Sequence, residues 1–423
     1  MSEPMWIFVS VVLALAVALL YVNLSAGEKR VSHEIPHLYP VGDPQFFRAM
    51  GMLLGPDIVG GNRAQALVNG DQIFPAMLEA IRGARGTILF ETFIYWSGEI
   101  GDTFAQALSE RARAGVKVHV LLDWVGSIKV DRRMLDRMKE AGVEVHMFHP
   151  MRWYNLGRIN NRTHRKLLIV DGRTGFTGGV GIAPPWTGDA QDEEHWRDCH
   201  FRIEGPVVAQ MQSVMLSNWS KTTGVILHGP DYFPELEPVG EQRAQMFHSS
   251  PSGGSESMQL MYLVAITAAV KTIDIASAYF VPDDMTRLAL VAALKRGVRV
   301  RVITPGRHID TQTVRHASRA LWGELLEAGA EIHVYQPTMY HCKIVIADGL
   351  LSSVGSTNFD PRSFHLNDEA NLNVYDTAFA ARLAEVFEAD LRHCRRVTLQ
   401  EWRSRPPLEK ARERLTALLA PVL

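Results

Sequence analysis

A histidine and a lysine two positions apart, closed by an aspartate, occur twice in this chain. The first copy is His164-Arg165-Lys166-Leu167-Leu168-Ile169-Val170-Asp171 and the second is His341-Cys342-Lys343-Ile344-Val345-Ile346-Ala347-Asp348. Each reads H-x-K-x4-D, and the histidines stand 177 positions apart, from 164 to 341. Side chains two apart on a strand share a face. An ammonium group beside an imidazole suits chemistry on an anion. The lysine attracts a phosphate oxygen, and the imidazole offers a nucleophilic or acid–base nitrogen. One copy alone reads as a half-buried histidine beside a lysine whose stem lies on apolar surface. Two copies at matching places in a repeated chain ask for a functional explanation.

The elements that must carry these residues also come in pairs. Gly115-Val116-Lys117-Val118 follows an Ala- and Arg-rich helical stretch and leads into an apolar run, as Gly297-Val298-Arg299-Val300 does. Glu140-Ala141-Gly142-Val143-Glu144-Val145-His146 matches Glu327-Ala328-Gly329-Ala330-Glu331-Ile332-His333, and each leads to a proline, Pro150 or Pro337. Helix, glycine, then β-branched strand is the grammar of an α/β unit. Lys166–Val170 and Lys343–Ala347 are apolar after the lysine, as strands buried on both faces are. The fold class expected is α/β: two pseudo-symmetric domains, each a mixed or parallel sheet flanked by helices, behind an N-terminal transmembrane helix. The divisions expected are an anchor at 1–27, a linker at 28–62, domains at 63–225 and 226–396, and a helical tail at 397–423. A duplication of this kind often builds one site where its halves meet.

These motifs resemble the phospholipase D superfamily, whose members carry two such motifs in pseudo-symmetric halves, and within it the bacterial cardiolipin synthase type. The likeness covers nearly everything after about residue 60. It is carried by Trp196-Arg197-Asp198, Ile203-Glu204-Gly205-Pro206, Tyr279-Phe280-Val281-Pro282-Asp283, the run from Gly355 to Phe364, and Asn367-Asp368-Glu369. The resemblance implies a phosphatidyltransferase. His164 would attack phosphorus and form a phosphohistidine, and His341 would act as acid and base. Lys166 and Lys343 would hold the phosphate oxygens, with Ser356 and Asn358 as further donors. Asp198 would orient His164, and Glu369 would orient His341. Asp171 and Asp348, counted with the catalytic motifs, would brace the strands. The positions matching Ser356 and Asn358 in the first half are Gly179 and Gly181, and this departs from the family's habit of an asparagine where Gly181 stands. Expected substrates are phosphatidylglycerol and, as a second donor to test, phosphatidylethanolamine. No cofactor, no metal and no nucleic acid are expected; the oligomeric state is left open. The alternatives are a phosphodiesterase of the phospholipase D type, acting on lipid or less readily on nucleic acid, and an inactive lipid-binding scaffold.

The rest of the sequence agrees with these expectations. Lys+Arg 44 against Asp+Glu 46 gives a net charge of −2, which argues against binding nucleic acid by bulk charge. Three cysteines, Cys199, Cys342 and Cys394, fit neither a disulfide framework nor a paired-cysteine zinc site and read as reduced thiols. Cys342, between His341 and Lys343, faces the core. Met5 to Leu24 is apolar and uncharged, long enough for a bilayer core at ~1.5 Å per residue. The residues before it carry no basic charge, which favours an anchor over a signal peptide cleaved near Leu24–Gly27. Lys29 and Arg30 follow it and place the remainder on the cytoplasmic side of the bacterial cell membrane. Glu91, in an apolar run, is read as either a salt-bridge partner or a support of the site. Met151–Arg162, aromatic and basic, is read as a surface loop or a headgroup contact. Leu399–Leu423 is read as an interfacial helix or one packed on the domain surface.

Overall fold

The computed structural model of the chain describes residues 3–24, 31, 33–150, 160–251 and 257–420. The first half contributes β1 (Val59–Val68), β2 (Thr87–Thr92), β3 (Lys117–Asp123), β4 (Glu144–Phe148), β5 (Arg162–Thr163), β6 (Leu167–Val170), β7 (Thr174–Gly178) and β8 (Cys199–Glu204). The second contributes β9 (Gln242–Ser249), β10 (Thr272–Ser277), β11 (Arg299–Pro305), β12 (Glu331–Tyr335), β13 (Lys343–Ala347), β14 (Leu351–Gly355), β15 (Asn367–Tyr375) and β16 (Cys394–Val397).

These strands form one continuous sheet, joined where β1 and β9 pair antiparallel. Outward from that seam, one half runs β1-β8-β7-β6-β2-β3-β4 and the other runs β9-β15-β14-β13-β10-β11-β12, closed by β16. The order is the same on both sides, so the repeat in sequence is a repeat in topology. In each half the outer three strands are parallel, β2-β3-β4 and β10-β11-β12. The glycines that end the preceding helices, Gly115, Gly142, Gly297 and Gly329, have φ of 90°, 97°, 92° and 99°. A side chain there would be strained, which is why the same residue recurs at these four corners.

Helices Val207–Thr223 and Thr377–Leu391 pack on the sheet over a core drawn from both halves, including Phe201, Met211, Trp219, Ile344, Leu372 and Phe387. The halves therefore share a hydrophobic core. Buried ion pairs reinforce the junction: Arg197 grips Asp390 with two bonds of 2.8 and 3.0 Å, and Arg165 lies 3.5 Å from Asp368. Both arginines come from the first half and both acids from the second.

Within the segment read as a linker lies a helix, Pro44–Leu54, capped by the Asp43 carboxylate. Its stripe Phe46, Met50 and Leu54 joins the core of the second half. The apolar run at the start of the chain forms helix Glu3–Leu24. Its side chains are described from Pro4 to Leu19 and are exposed throughout. Among the described residues no helix is long and apolar enough to cross a membrane. Lys29, Arg30, the weak cleavage site after Leu24 and most of the aromatic-basic stretch after Met151 lie outside the described residues. In the tail, helix Pro407–Ala417 begins at the pair Pro406-Pro407 and packs against helix Gln312–Ala320. Glu413 is buried against Arg405 and Arg319, while Leu408, Leu415, Leu418 and Leu419 stay exposed.

Candidate active site

Each motif histidine arrives on a short crossover from its own half to the other. β5, just before His164, pairs in parallel with Asn367–Asp368 of β15, and the His164 N–H donates to the Asp368 carbonyl at 2.9 Å. Tyr340, just before His341, pairs in parallel with Arg197, and the His341 N–H donates to the Arg197 carbonyl at 2.7 Å. The approach to each motif thus lies along the acid-bearing segment of the opposite half.

The acids consequently pair across the halves. His164 Nδ1 lies 2.9 and 3.1 Å from the Glu369 oxygens, and His341 Nδ1 lies 2.7 Å from Asp198 Oδ2. This corrects the sequence expectation, which matched Asp198 with His164 and Glu369 with His341. Strand pairing between halves decides the partner, and spacing along the chain carries no information about it. Burial pushes both carboxyls up, but the surrounding donors and cations outweigh it and hold Asp198 and Glu369 below the usual range. An ionised carboxylate only accepts, so each Nδ1 carries the hydrogen and each Nε2 keeps its lone pair.

The two acids are held by different further donors. Ser356 Oγ donates to Glu369 at 2.5 Å. It is fully buried and does not line the cavity, so its expected role as a phosphate donor is corrected: it braces the acid. For Asp198 the donors are Trp186 Nε1 at 2.9 Å and the Cys199 N–H at 2.8 Å. This accounts for the glycines of the first half. A Cβ on Gly179 would run into the Asp198 carboxylate. One on Gly181 would stand 2.9 Å from Ile94 and 3.0 Å from the Trp186 ring. The Asp198 carboxylate occupies the space that a serine at position 179 would need, and Ile94 and the indole occupy that of an asparagine at position 181. Sequence reading missed Trp186; the signal was the pair of glycines where the second half has polar donors, followed by Pro184-Pro185-Trp186.

His164, Lys166, His341 and Asn358 line one cavity of about 290 Å³ at the junction of the halves. Asn358 Oδ1 is buried there without a hydrogen-bond partner. Phe93 packs edge-on to His164 at 5.2 Å, and Trp186 and Trp196 lie 5.3 and 5.4 Å from His341. These apolar walls lower the local dielectric and strengthen every charge interaction inside. Burial holds His164 down to about 4 and His341 to about 3, so both rings are neutral in the free site. Burial also lowers both lysines, Lys166 to about 7. Lys166 Nζ donates to the His164 carbonyl at 2.6 Å; Lys343 Nζ donates to the His341 carbonyl at 2.5 Å and lies 3.0 and 3.1 Å from that ring's nitrogens. Glu91 supports the site: its carboxyl, pushed up by burial, accepts from Thr163 Oγ1 at 2.5 Å and Asn218 Nδ2 at 2.8 Å, fixing the residue before His164. A second cavity, about 400 Å³, lies between helix Gln312–Ala320 and the tail and holds neither motif.

Asp171 and Asp348, grouped with the catalytic residues from sequence, do not reach the cavity. Asp171 accepts the N–H groups of Arg85, Gly86 and Thr87, and Asp348 those of Val270, Lys271 and Thr272. Each clamps the turn entering the neighbouring strand, β2 or β10. Asp171→Ala would strand those donors, and a loss of about 2–3 kcal/mol is expected. Thermal unfolding should show the lowered Tm, while activity per folded molecule stays close to that of the parent.

The chain is also similar in sequence and in fold to known proteins. A family model described as "Cardiolipin synthase, PLD-like domain" matches residues 77–213 and 262–391. The chain belongs to this family. The first matched segment of the cardiolipin synthase domain carries His164, Lys166, Asp171 and Asp198; the second carries His341, Lys343, Asp348, Ser356, Asn358 and Glu369. The cardiolipin synthase of Geobacillus kaustophilus (strain HTA426) is 36% identical over 365 residues, covering 86% of this chain and 72% of that one. Cardiolipin synthase A of Pseudomonas putida is 34% identical over 377 residues, covering 89% and 78%. Among solved structures, the phosphatidylserine synthase of Haemophilus influenzae Rd KW20 superposes with a TM-score of 0.66 over 89% of this chain and 99% of that one. At 14% identity, that likeness bears on the fold alone.

Proposed function

We propose that the protein transfers a phosphatidyl group from one phospholipid, by way of a phosphohistidine, to a hydroxyl of phosphatidylglycerol, giving cardiolipin. Membership of the cardiolipin synthase family makes it a phosphatidyltransferase. The observation that carries the mechanism is the opening of two imidazoles from opposite halves, each oriented by a buried carboxylate, into a single cavity. His164 Nε2 attacks phosphorus, the bond to the leaving glycerol oxygen breaks, and His341 supplies that oxygen's proton. His341 then takes the proton of the acceptor hydroxyl, whose oxygen attacks phosphorus as the phosphorus–nitrogen bond breaks. The order is the one the family resemblance implies; in the free site the Lys343 ammonium lies against both nitrogens of the His341 ring and disfavours its protonation, whereas Lys166 bonds the main chain at His164. An arriving phosphate draws Lys343 off the ring, and its negative charge then favours protonated His341. Preorganised cations stabilise the charge that builds as phosphorus becomes pentacoordinate.

Lys166 gives this reading a pH signature. A lysine is charged below its pKa, and burial has brought Lys166 down to about 7 in the free site. The pH dependence of kcat/KM reports the free enzyme. It is expected to fall above about pH 7, while kcat, which reports the complex holding a phosphate anion against the ammonium, persists to higher pH. Lys166→Arg keeps its charge and should move the kcat/KM limb upward in a pH–rate profile.

Helix Glu3–Leu24 is the membrane anchor in this reading, with the catalytic halves on the cytoplasmic face. Its described side chains fall short of a span by themselves, but the helical backbone runs on to Leu24 and the apolar sequence with it. The exposed apolar side chains from Met5 to Leu19 support this, since a helix apolar all round and unpacked calls for a lipid surrounding. The test of function is product analysis: full-length protein in vesicles of labelled phosphatidylglycerol should yield cardiolipin and equimolar glycerol. Phosphatidic acid as the sole lipid product would overturn transfer in favour of hydrolysis.

A further inference from the structure

We propose that Arg162 and Arg362 form a second phosphate subsite, which holds the phosphate of the acceptor lipid beside the reacting one. The inference rests on the transfer reading above and extends it to how the acceptor is chosen. Joining two phosphatidyl groups through one glycerol brings two anionic phosphodiesters into one cavity. Lys166, Lys343 and the histidines serve the phosphorus under attack. The second phosphate needs cations of its own, because two like charges a glycerol apart repel in a dry site. Hydrolysis, with water as acceptor, needs none.

The cavity supplies such cations. Arg162 and Arg362 come from opposite halves and both line it together with His164 and His341. Arg162 lies two residues before His164 on β5, fixed by that strand's pairing with Asn367. Arg362 lies on the short helix Pro361–His365, whose first turn is capped by Asp360, and it donates to the Asn160 carbonyl at 3.2 Å. The guanidinium groups are near enough to interact: burial and, less strongly, Arg362 disfavour the charge on Arg162, while Asp123, whose effect exceeds that of Arg362, favours it. The acids that face them are Asp123 for Arg162, and Asp360, Glu369 and Asp123 for Arg362. Burial pushes Asp123, beside Arg162, up to about 6, and Asp360, beside Arg362, up to about 7. Guanidinium forks also match the paired oxygens of a phosphodiester better than an ammonium does.

The test compares full-length wild type, Arg162→Gln and Arg362→Gln in phosphatidylglycerol vesicles containing a fixed concentration of ethanol. Cardiolipin and phosphatidylethanol arise from the same phosphatidyl-enzyme, so their ratio reads acceptor choice alone. It does not depend on the donor step or on the amount of folded protein. The ratio is expected to fall about tenfold or more in each variant, and Arg162→Lys should recover part of it. An unchanged ratio, whatever happens to total turnover, overturns the subsite and leaves transfer standing. Wild type that makes phosphatidylethanol but no cardiolipin overturns the transfer reading itself. A second measurement needs no variant: when lysophosphatidylglycerol and monoacylglycerol compete, the wild type should prefer the anionic acceptor by about tenfold. Equal use of the two also overturns the subsite.

Discussion

Replacing either His164 or His341 by alanine is expected to lower turnover of phosphatidylglycerol by about 10⁴-fold or more, because each ring performs a step that no neighbour can take over. The two variants should nevertheless fail differently. A phosphatidyl donor with a nitrophenol leaving group needs no proton on departure. With that donor, His341→Ala retains the nucleophile and should release one equivalent of nitrophenol in a burst. The phosphatidyl group then remains on His164, because nothing deprotonates the acceptor alcohol. His164→Ala should show no burst. Mass measurement of the intact protein locates the adduct. A burst from His164→Ala and none from His341→Ala would exchange the roles. A burst from neither would remove the covalent histidine from the mechanism. Thermal unfolding of both variants guards against misreading a folding defect, since His164 and His341 are buried against charged partners.

Much of this arrangement was legible because it is local. The glycines before strands, the apolar run after each lysine and the repeat of both at matching places are read within some ten residues, whereas the joining of the two halves into one sheet is not. The role of Asp171 was also legible: an aspartate at the end of a strand, followed by Gly172, fits a turn, and φ of 53° places it there. What stayed hidden depends on contacts across the molecule. Ser356 was expected to be a phosphate donor from the family resemblance, yet it faces Glu369 beneath the site. Trp186 was passed over because a tryptophan near prolines reads as packing; only its bond to Asp198 and the collision at Gly181 show its place in the site. The helix Pro44–Leu54 was hidden by its shortness and by Gly51, and its three-residue stripe is buried only because the second half offers it a core.

The crossed acids yield the second large effect. Glu369→Gln and Asp198→Asn should each cost about 10³-fold in turnover. The reason is the same for both. A carboxylate that accepts from Nδ1–H leaves Nε2 with its lone pair and stabilises the ring when it becomes cationic. An amide in that place is neutral, and its NH₂ can donate to Nδ1 and so move the hydrogen to Nε2. The step lost should follow the partner in space. Glu369→Gln impairs His164, so the nitrophenol burst should shrink or vanish. Asp198→Asn impairs His341, so the burst should persist while transfer to the alcohol stalls. Pairing within each half would give the opposite assignment, with the burst lost in Asp198→Asn. The supporting donors predict a finer difference. Ser356→Ala removes a hydroxyl from Glu369 and belongs with the first pattern, whereas Trp186→Phe removes the indole N–H from Asp198 and belongs with the second. Each half thus supplies the acid for the other's histidine, and neither has a complete site by itself. The shared core and the buried Arg197–Asp390 pair must hold the halves in register for any step to proceed.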